Sequence, residues 1–232
     1  MTRILARAFA LGATLAAALL AVTPAAASDY PAGPVRLFVG FPPGGTTDVI
    51  GRLLAKELSD ILAKPVVVEN RAGASGGIAA GAVARSAPDG LTLLVVPSTH
   101  ATNPFLYASL PYDPDKDLVP VSLIATTPYV LVTHPELPAS DYRGLMTYLQ
   151  SNPGKVNYAS ASPGTGQHLA GELFGRMADV KIVHIPYKGS SAALPDLMAG
   201  RVQMMFENVA VMTPHVRQGS LRALAVTGPK RS

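Results

Sequence analysis

Apolar residues fall into short continuous runs, separated by stretches where they recur every third or fourth position. Val35, Leu37, Phe38 and Val39 make the first run and predict a strand. Val49, Ile50, Leu53, Leu54, Leu58, Ile61 and Leu62 follow at the spacing of a helix with one buried face. Residues 65–69, rich in valine, predict a second strand. Residues 76–85 predict a small-residue helix, closed by Pro88-Asp89-Gly90, and residues 91–96 predict a third strand. Continuous apolar strands alternating with helices imply an α/β fold: parallel-rich sheets with helices on both faces.

The pattern changes at residues 111–117, a polar stretch broken by Pro111 and Pro114. Residues 121–125 and 129–133 then predict strands, with a hinge near Thr126-Thr127-Pro128 between them. Alternation resumes with a helix from about Ser140 to Asn152-Pro153-Gly154 and a strand over 155–160. A helix to Met177, a strand over 181–186 and a helix around 194–198 come next. A strand over 202–206, a helix before Gly219 and a strand over 221–226 complete the chain. The expected organisation is two α/β lobes, 28–125 and 126–232, without internal repeats.

Residues 1–27 stand apart. Arg3 and Arg7 precede an apolar run over 8–22 and the small residues Ala25-Ala26-Ala27, the three-part pattern of a cleavable export signal. The run is shorter than the roughly 20 residues a membrane-spanning helix needs. Half of the formal charge of +4 lies in this segment. The remainder carries no dense Lys/Arg cluster, there is no Trp, and aromatics are only 6%, which argues against a nucleic-acid partner. Cysteine is absent, so disulfides, thiolate metal sites and a lipid anchor through cysteine are excluded. An exported chain without a lipid anchor fits the periplasm.

Candidate chemistry lies in the loops after strands, where parallel α/β sheets bind ligands. Phe41-Pro42-Pro43-Gly44-Gly45-Thr46-Thr47-Asp48 joins a strand to a helix start. Its two glycines permit positive φ and close backbone approach, and Thr46 or Thr47 can cap the helix. A helix N-terminus with unpaired N–H groups holds an anion well. The alternative reading is a tight turn with a cap. No lysine follows the glycines, so this is not a P-loop. The loop Ser160–His168 offers Ser162, Gly164, Thr165, Gly166 and His168. Pro97-Ser98-Thr99-His100 and Pro186-Tyr187-Lys188-Gly189-Ser190 occupy equivalent places. Only Lys188 brings a fixed charge, which suits a carboxylate held by amides and waters better than a densely charged phosphate.

Gly73-Ala74-Ser75-Gly76-Gly77 matches the nucleophile elbow of α/β-hydrolases, with Asp196 and His215 following in order. Against it, the preceding strand ends near Asn70, so Ser75 is not at its tip, and no H-G-G-G segment supplies an oxyanion hole. His100, His134, His168, His184 and His215 show no metal-ligand spacing, and no cofactor is implied.

Several phrases in one order resemble the Bug family, the substrate-binding proteins of tripartite tricarboxylate transporters. They are FPPGGTTD at 41–48, VVENRAG at 67–73, APDGLTL at 87–93, LPYDP at 110–114, HLAGELF at 168–174, HIPYKG at 184–189 and LRALAV at 221–226. The resemblance implies a two-lobe, type II-like periplasmic binding fold without enzymatic activity. It implies a monomer that closes over a small carboxylate and passes it to a membrane permease. The ligand would be a di- or tricarboxylate, an amino dicarboxylate or an aromatic acid. In the family, the loop matching Phe41, Pro42, Gly44, Gly45, Thr46, Thr47 and Asp48 holds one carboxylate by backbone amides and ordered water. The loops with Ser98, Thr99 and His100, with Ser162 to His168, and with Tyr187 and Lys188 are implied to complete the pocket. Glu207-Asn208 matches a position that varies with ligand, and an acid at 207 suits a ligand amino group. Family members usually continue past 226, so the resemblance implies C-terminal truncation and an incomplete first lobe. Two other functions remain open at this stage: an exported serine hydrolase using Ser75, and a ligand sensor for a membrane receptor.

Overall fold

A computed structural model describes residues 30–230, so the expected export segment lies outside the described residues. All the strands belong to one compact unit that starts at Gly33. None of the described helices is long and apolar enough to cross a membrane.

The first sheet is parallel. Strand β1 (Val35–Val39) lies between β2 (Val66–Asn70) and β3 (Thr92–Val95). Four of the five β1 residues are buried, as the continuous apolar run requires of a central strand. Leu37, Val39 and Val95 pack with Phe41 and with Ala55 of helix α1 (Thr46–Leu62). Helix α2 (Gly77–Ala84) and helix α3 (Thr99–Leu106) follow β2 and β3.

The second sheet has five strands in the order β6-β5-β7-β4-β8. These are β4 (Tyr129–Thr133), β5 (Asn157–Ser160), β6 (Val183–Pro186), β7 (Met204–Asn208) and β8 (Arg222–Val226). β5 runs parallel to β6 and β7, whereas β4 is antiparallel to β7 and β8. Successive strand residues point to opposite faces, and the core splits accordingly. Leu131, Tyr158, Met204 and Phe206 pack on one face with Leu145 and Leu149 of helix α4 (Tyr142–Ser151) and Phe174 of helix α5 (Gly166–Met177). Val130, Val132, Ala159 and Met205 pack on the other face. Their partners include Leu197 of helix α6 (Ser190–Met198) and Met212 of helix α7 (Val209–Arg217). Helices therefore cover both faces of this sheet, as the sequence predicts.

Two expectations need correction. Residues 121–125 do not form a strand: Val121 and Leu123 are 85% and 80% exposed, and no neighbouring strand pairs with them among the described residues. Apolar alternation makes a strand only where a ladder partner is in reach. Conversely, α3 forms where a loop was expected, although it contains Pro104. Pro104, the sixth of its eight residues, forfeits one i→i−4 bond, and the helix ends two residues later.

Candidate ligand-binding site

Five strands deliver the chain to five helix starts that converge on one cavity. The N-caps of α1, α3, α5, α6 and α7 are Gly45, Ser98, Thr165, Gly189 and Asn208. All five line the cavity. It encloses about 60 Å³, room for roughly four to six water-sized groups. Only Thr165 caps its own helix through the side chain, accepting from the His168 amide; the other four leave their first-turn amides uncapped by a side chain. No Lys, Arg, Asp or Glu lines the cavity. Its polarity comes from backbone dipoles, hydroxyls and amides.

The loop into α1 is held from behind. Gly44 sits at φ +81°, a left-handed conformation that favours glycine. Its N–H donates to Asp48 Oδ2 at 2.9 Å. Asp48 is buried and also accepts from Asn70 Nδ2 and Arg52 Nε. Burial opposes its charge, but Arg52, the Gly44 amide and Asn70 outweigh that and hold its carboxyl below the usual range. Asp48 thus braces the loop and does not line the cavity. Only one of the two glycines adopts positive φ: Gly45 has φ −84° and ψ 169°, an ordinary extended N-cap. Its missing side chain leaves room beside the cavity. Phe41 is anchored in the first sheet's core, and its carbonyl accepts from Asn70 Nδ2. Phe41, Pro42, Thr46 and Thr47 line the cavity.

The opposite wall is organised by Glu207, which is fully buried on β7. Its Oε1 accepts from the Asn208 N–H at 2.7 Å, Asn208 Nδ2 at 3.0 Å and Thr46 Oγ1 at 3.2 Å. Gln167 Nε2 lies 3.3 and 3.2 Å from its two oxygens. Thr46, Gln167 and Asn208 all line the cavity, whereas Glu207 does not. This corrects the expectation that Glu207 meets a ligand amino group: its carboxylate is occupied by neutral donors one layer behind the wall. Thr46 belongs to the first sheet's side and Glu207 to the second, so this cluster joins the two.

Tyr129 and Gln167 were not singled out from the sequence, and Asn208 was marked only as the neighbour of Glu207 at the ligand-variable position. Tyr129 opens β4, and antiparallel pairing sets it opposite Asn208 at the sheet edge that faces the cavity. Burial and the Glu207 charge raise its pKa. Only strand order reveals Tyr129; Gln167 and Asn208 flank helix starts, and that position was the available signal.

A profile described as tripartite tricarboxylate transporter family receptor matches residues 50–232. The chain belongs to this receptor family. Protein BugT of Bordetella pertussis is 44% identical over 234 residues, covering all of this chain and 71% of that protein. The structure of R. palustris Rpa4515 with adipate is 40% identical, with TM-score 0.84 over 87% of this chain and 68% of the other. MatC (Rpa3494) from Rhodopseudomonas palustris with bound malate is 33% identical, with TM-score 0.79, covering 87% of this chain and 69% of the other. The receptor described here thus matches about two thirds of each of these two solved chains.

The remaining sequence candidates of the receptor divide. Ser98, Thr165 and Gly166 line the cavity. Thr99 is buried and, with His100, lines a separate, smaller cavity, where His100 stacks on Tyr112. Ser162, in the loop after β5, meets Ser75, in the turn after β2. Gly164 donates its N–H to His168 Nδ1 and accepts from Thr102 Oγ1 through its carbonyl. Tyr187 is turned away to donate to Asp196, and Lys188 is exposed and off the lining, so the one fixed charge expected in these loops is not at the cavity.

His168 is also turned away. It stacks on His184 at 4.1 Å, and His184 Nε2 lies 2.6 Å from Ser160 Oγ beneath the loop into α5. Tyr158, whose hydroxyl donates to Glu172, stacks on the other side of His184. Burial, then the neighbouring His168, push His184 down to about 4, while Glu172 opposes this more weakly. Unfolded His184 gains its proton near pH 6.5, but the folded ring resists to about 4. Its stabilising contribution is full above pH 6.5 and disappears as pH falls through 4. We expect roughly 1–2 kcal/mol to be lost across that window, discounting for partial exposure. Melting temperatures of His184→Gln should vary less between pH 6.5 and 4 than those of the parent; equal slopes would contradict the assignment.

Proposed function

We propose that this receptor is a periplasmic solute-binding protein. It captures a small carboxylic acid and delivers it to the permease of a tripartite tricarboxylate-type transporter. The observation that carries the reading is the convergence of five helix N-termini on a cavity with no charged side chain in its wall. Each N-terminus presents unpaired N–H groups and about half a positive charge, so an anion is held without a counter-charge. A phosphate, with its higher charge, favours Arg or Lys forks, which this wall lacks. Solved relatives with adipate and with malate support the class. On this reading the lobes expected at 28–125 and 126–232 close over the ligand.

Ser75 as a hydrolase nucleophile has little support. Its Oγ contacts Tyr107, Ser162 and the Pro163 carbonyl, with neither histidine nor carboxylate among these partners.

The test is a thermal melt of the full chain with mono-, di- and tricarboxylates, against diamines of matched length. Dicarboxylates of four to six carbons should raise the melting temperature. A ligand at a hundred times its Kd contributes about 2.7 kcal/mol. Stabilisation by diamines and by none of the acids would overturn the reading.

A further inference from the structure

We propose that Ser75 is the clasp of the cleft, a positioning residue that ties the first sheet's side to the loop forming the opposite wall. The inference rests on the binding-protein reading above. Residues 73–76 form a turn in which every φ is positive: 134° at Gly73, 46° at Ala74, 50° at Ser75 and 91° at Gly76. Ala74 and Ser75 carry side chains in a region that normally belongs to glycine, and such outliers persist only where surroundings over-determine them. The surroundings here are specific. The Ser75 hydroxyl donates to the Pro163 carbonyl at 2.9 Å. Its oxygen lies 2.7 Å from Ser162 Oγ and 3.0 Å from the Tyr107 hydroxyl. One donation and two acceptances complete the capacity of a hydroxyl, so Ser162 and Tyr107 act as donors.

From behind, Asn103 Nδ2 donates to the Ser75 carbonyl at 3.3 Å. A second strut runs parallel: Thr102 Oγ1 donates to the Gly164 carbonyl at 2.9 Å. Both reach residues 162–164, and the next residues, Thr165 and Gly166, line the cavity. Ser75 itself is buried and absent from that lining. It therefore acts on ligand through the loop, holding the wall and the closed cleft in register while touching no ligand. The same contacts explain why a sequence resembling a nucleophile elbow carries no activated serine here: its O–H is given to a backbone carbonyl, which is no base to take the proton.

The chain has no cysteine, so two introduced ones are unique spin-labelling sites. Asp60→Cys and Lys155→Cys place one exposed label on each side of the cleft. In the ligand-free parent we expect one dominant inter-label distance. In Ser75→Gly, which deletes the hydroxyl while suiting the left-handed backbone, a longer-distance population should appear. Adipate as probe should bind Ser75→Gly about tenfold more weakly, chiefly through faster dissociation. Ser75→Ala should behave alike, which separates the hydroxyl from the backbone. A role confined to local structure lowers the melting temperature but leaves the distances unchanged, and unchanged distances in Ser75→Gly overturn the proposal. The distance measurement needs no ligand, so failure of the carboxylate reading would show separately, as absence of adipate binding to the parent.

Discussion

Asp48→Ala should cost the receptor about 3 kcal/mol of stability and at least a hundredfold in carboxylate affinity. The carboxylate is buried and accepts from three donors: the Gly44 amide at 2.9 Å, Asn70 Nδ2 at 2.8 Å and Arg52 Nε at 3.0 Å. Its removal leaves the Asn70 amide with only the Phe41 carbonyl as acceptor and releases Gly44 from its left-handed turn. The amides of residues 45–47 then lose the direction that aims them into the cavity. Loss of the Arg52 ion pair contributes little, because Arg52 is half exposed. Asp48→Asn, which keeps one acceptor oxygen, should fall between parent and alanine. Urea denaturation and adipate titration calorimetry measure both effects; parental affinity in Asp48→Ala would show that the brace is not needed. The depressed pKa fixes the sign of the acid response. Asp48 stabilises fully above the ordinary carboxylate pKa, and its contribution is lost as pH falls through the lowered value.

Glu207→Ala should be comparably severe, at about 2–4 kcal/mol, because it removes an acceptor shared by several buried or half-buried donors. Thr46 Oγ1, Gln167 Nε2, Asn208 N–H and Asn208 Nδ2 would all lose it. All three residues line the cavity, and Thr46 comes from the first sheet's side. Affinity for adipate should fall with stability, and Glu207→Gln should recover part of both by restoring volume and one acceptor. If instead Glu207→Gln selectively weakened amino diacids relative to their unsubstituted counterparts, the carboxylate would be reading a ligand ammonium and the corrected assignment here would fail.

The alternation of apolar runs with helical repeats carried most of the fold. β1, with Val35, Leu37, Phe38 and Val39 buried, is legible because a central parallel strand is apolar on both faces. Of the five helix starts, those of α1 and α5 were legible, because glycine and threonine after a strand mark a helix start wherever the strand lies; the start of α3 was not, and that of α6 lies earlier than expected. The segment 121–125 was not legible, because a strand is a relation between two segments and composition describes only one. Glu207 was misread because a carboxylate near a ligand looks alike in sequence whether it faces the cavity or stands one layer behind it.

The sequence by itself determined most of the elements and the receptor family. These depend on local backbone preference and on contiguous phrases. The tertiary structure decided which side chains meet. It turned His168, Tyr187 and Lys188 away, brought Tyr129 to the edge beside Asn208, and set Ser75 against Ser162 across 87 residues of chain. Those outcomes follow from strand order and from burial. A polar group taken out of water must find a partner, and where that partner lies depends on how the sheets are arranged.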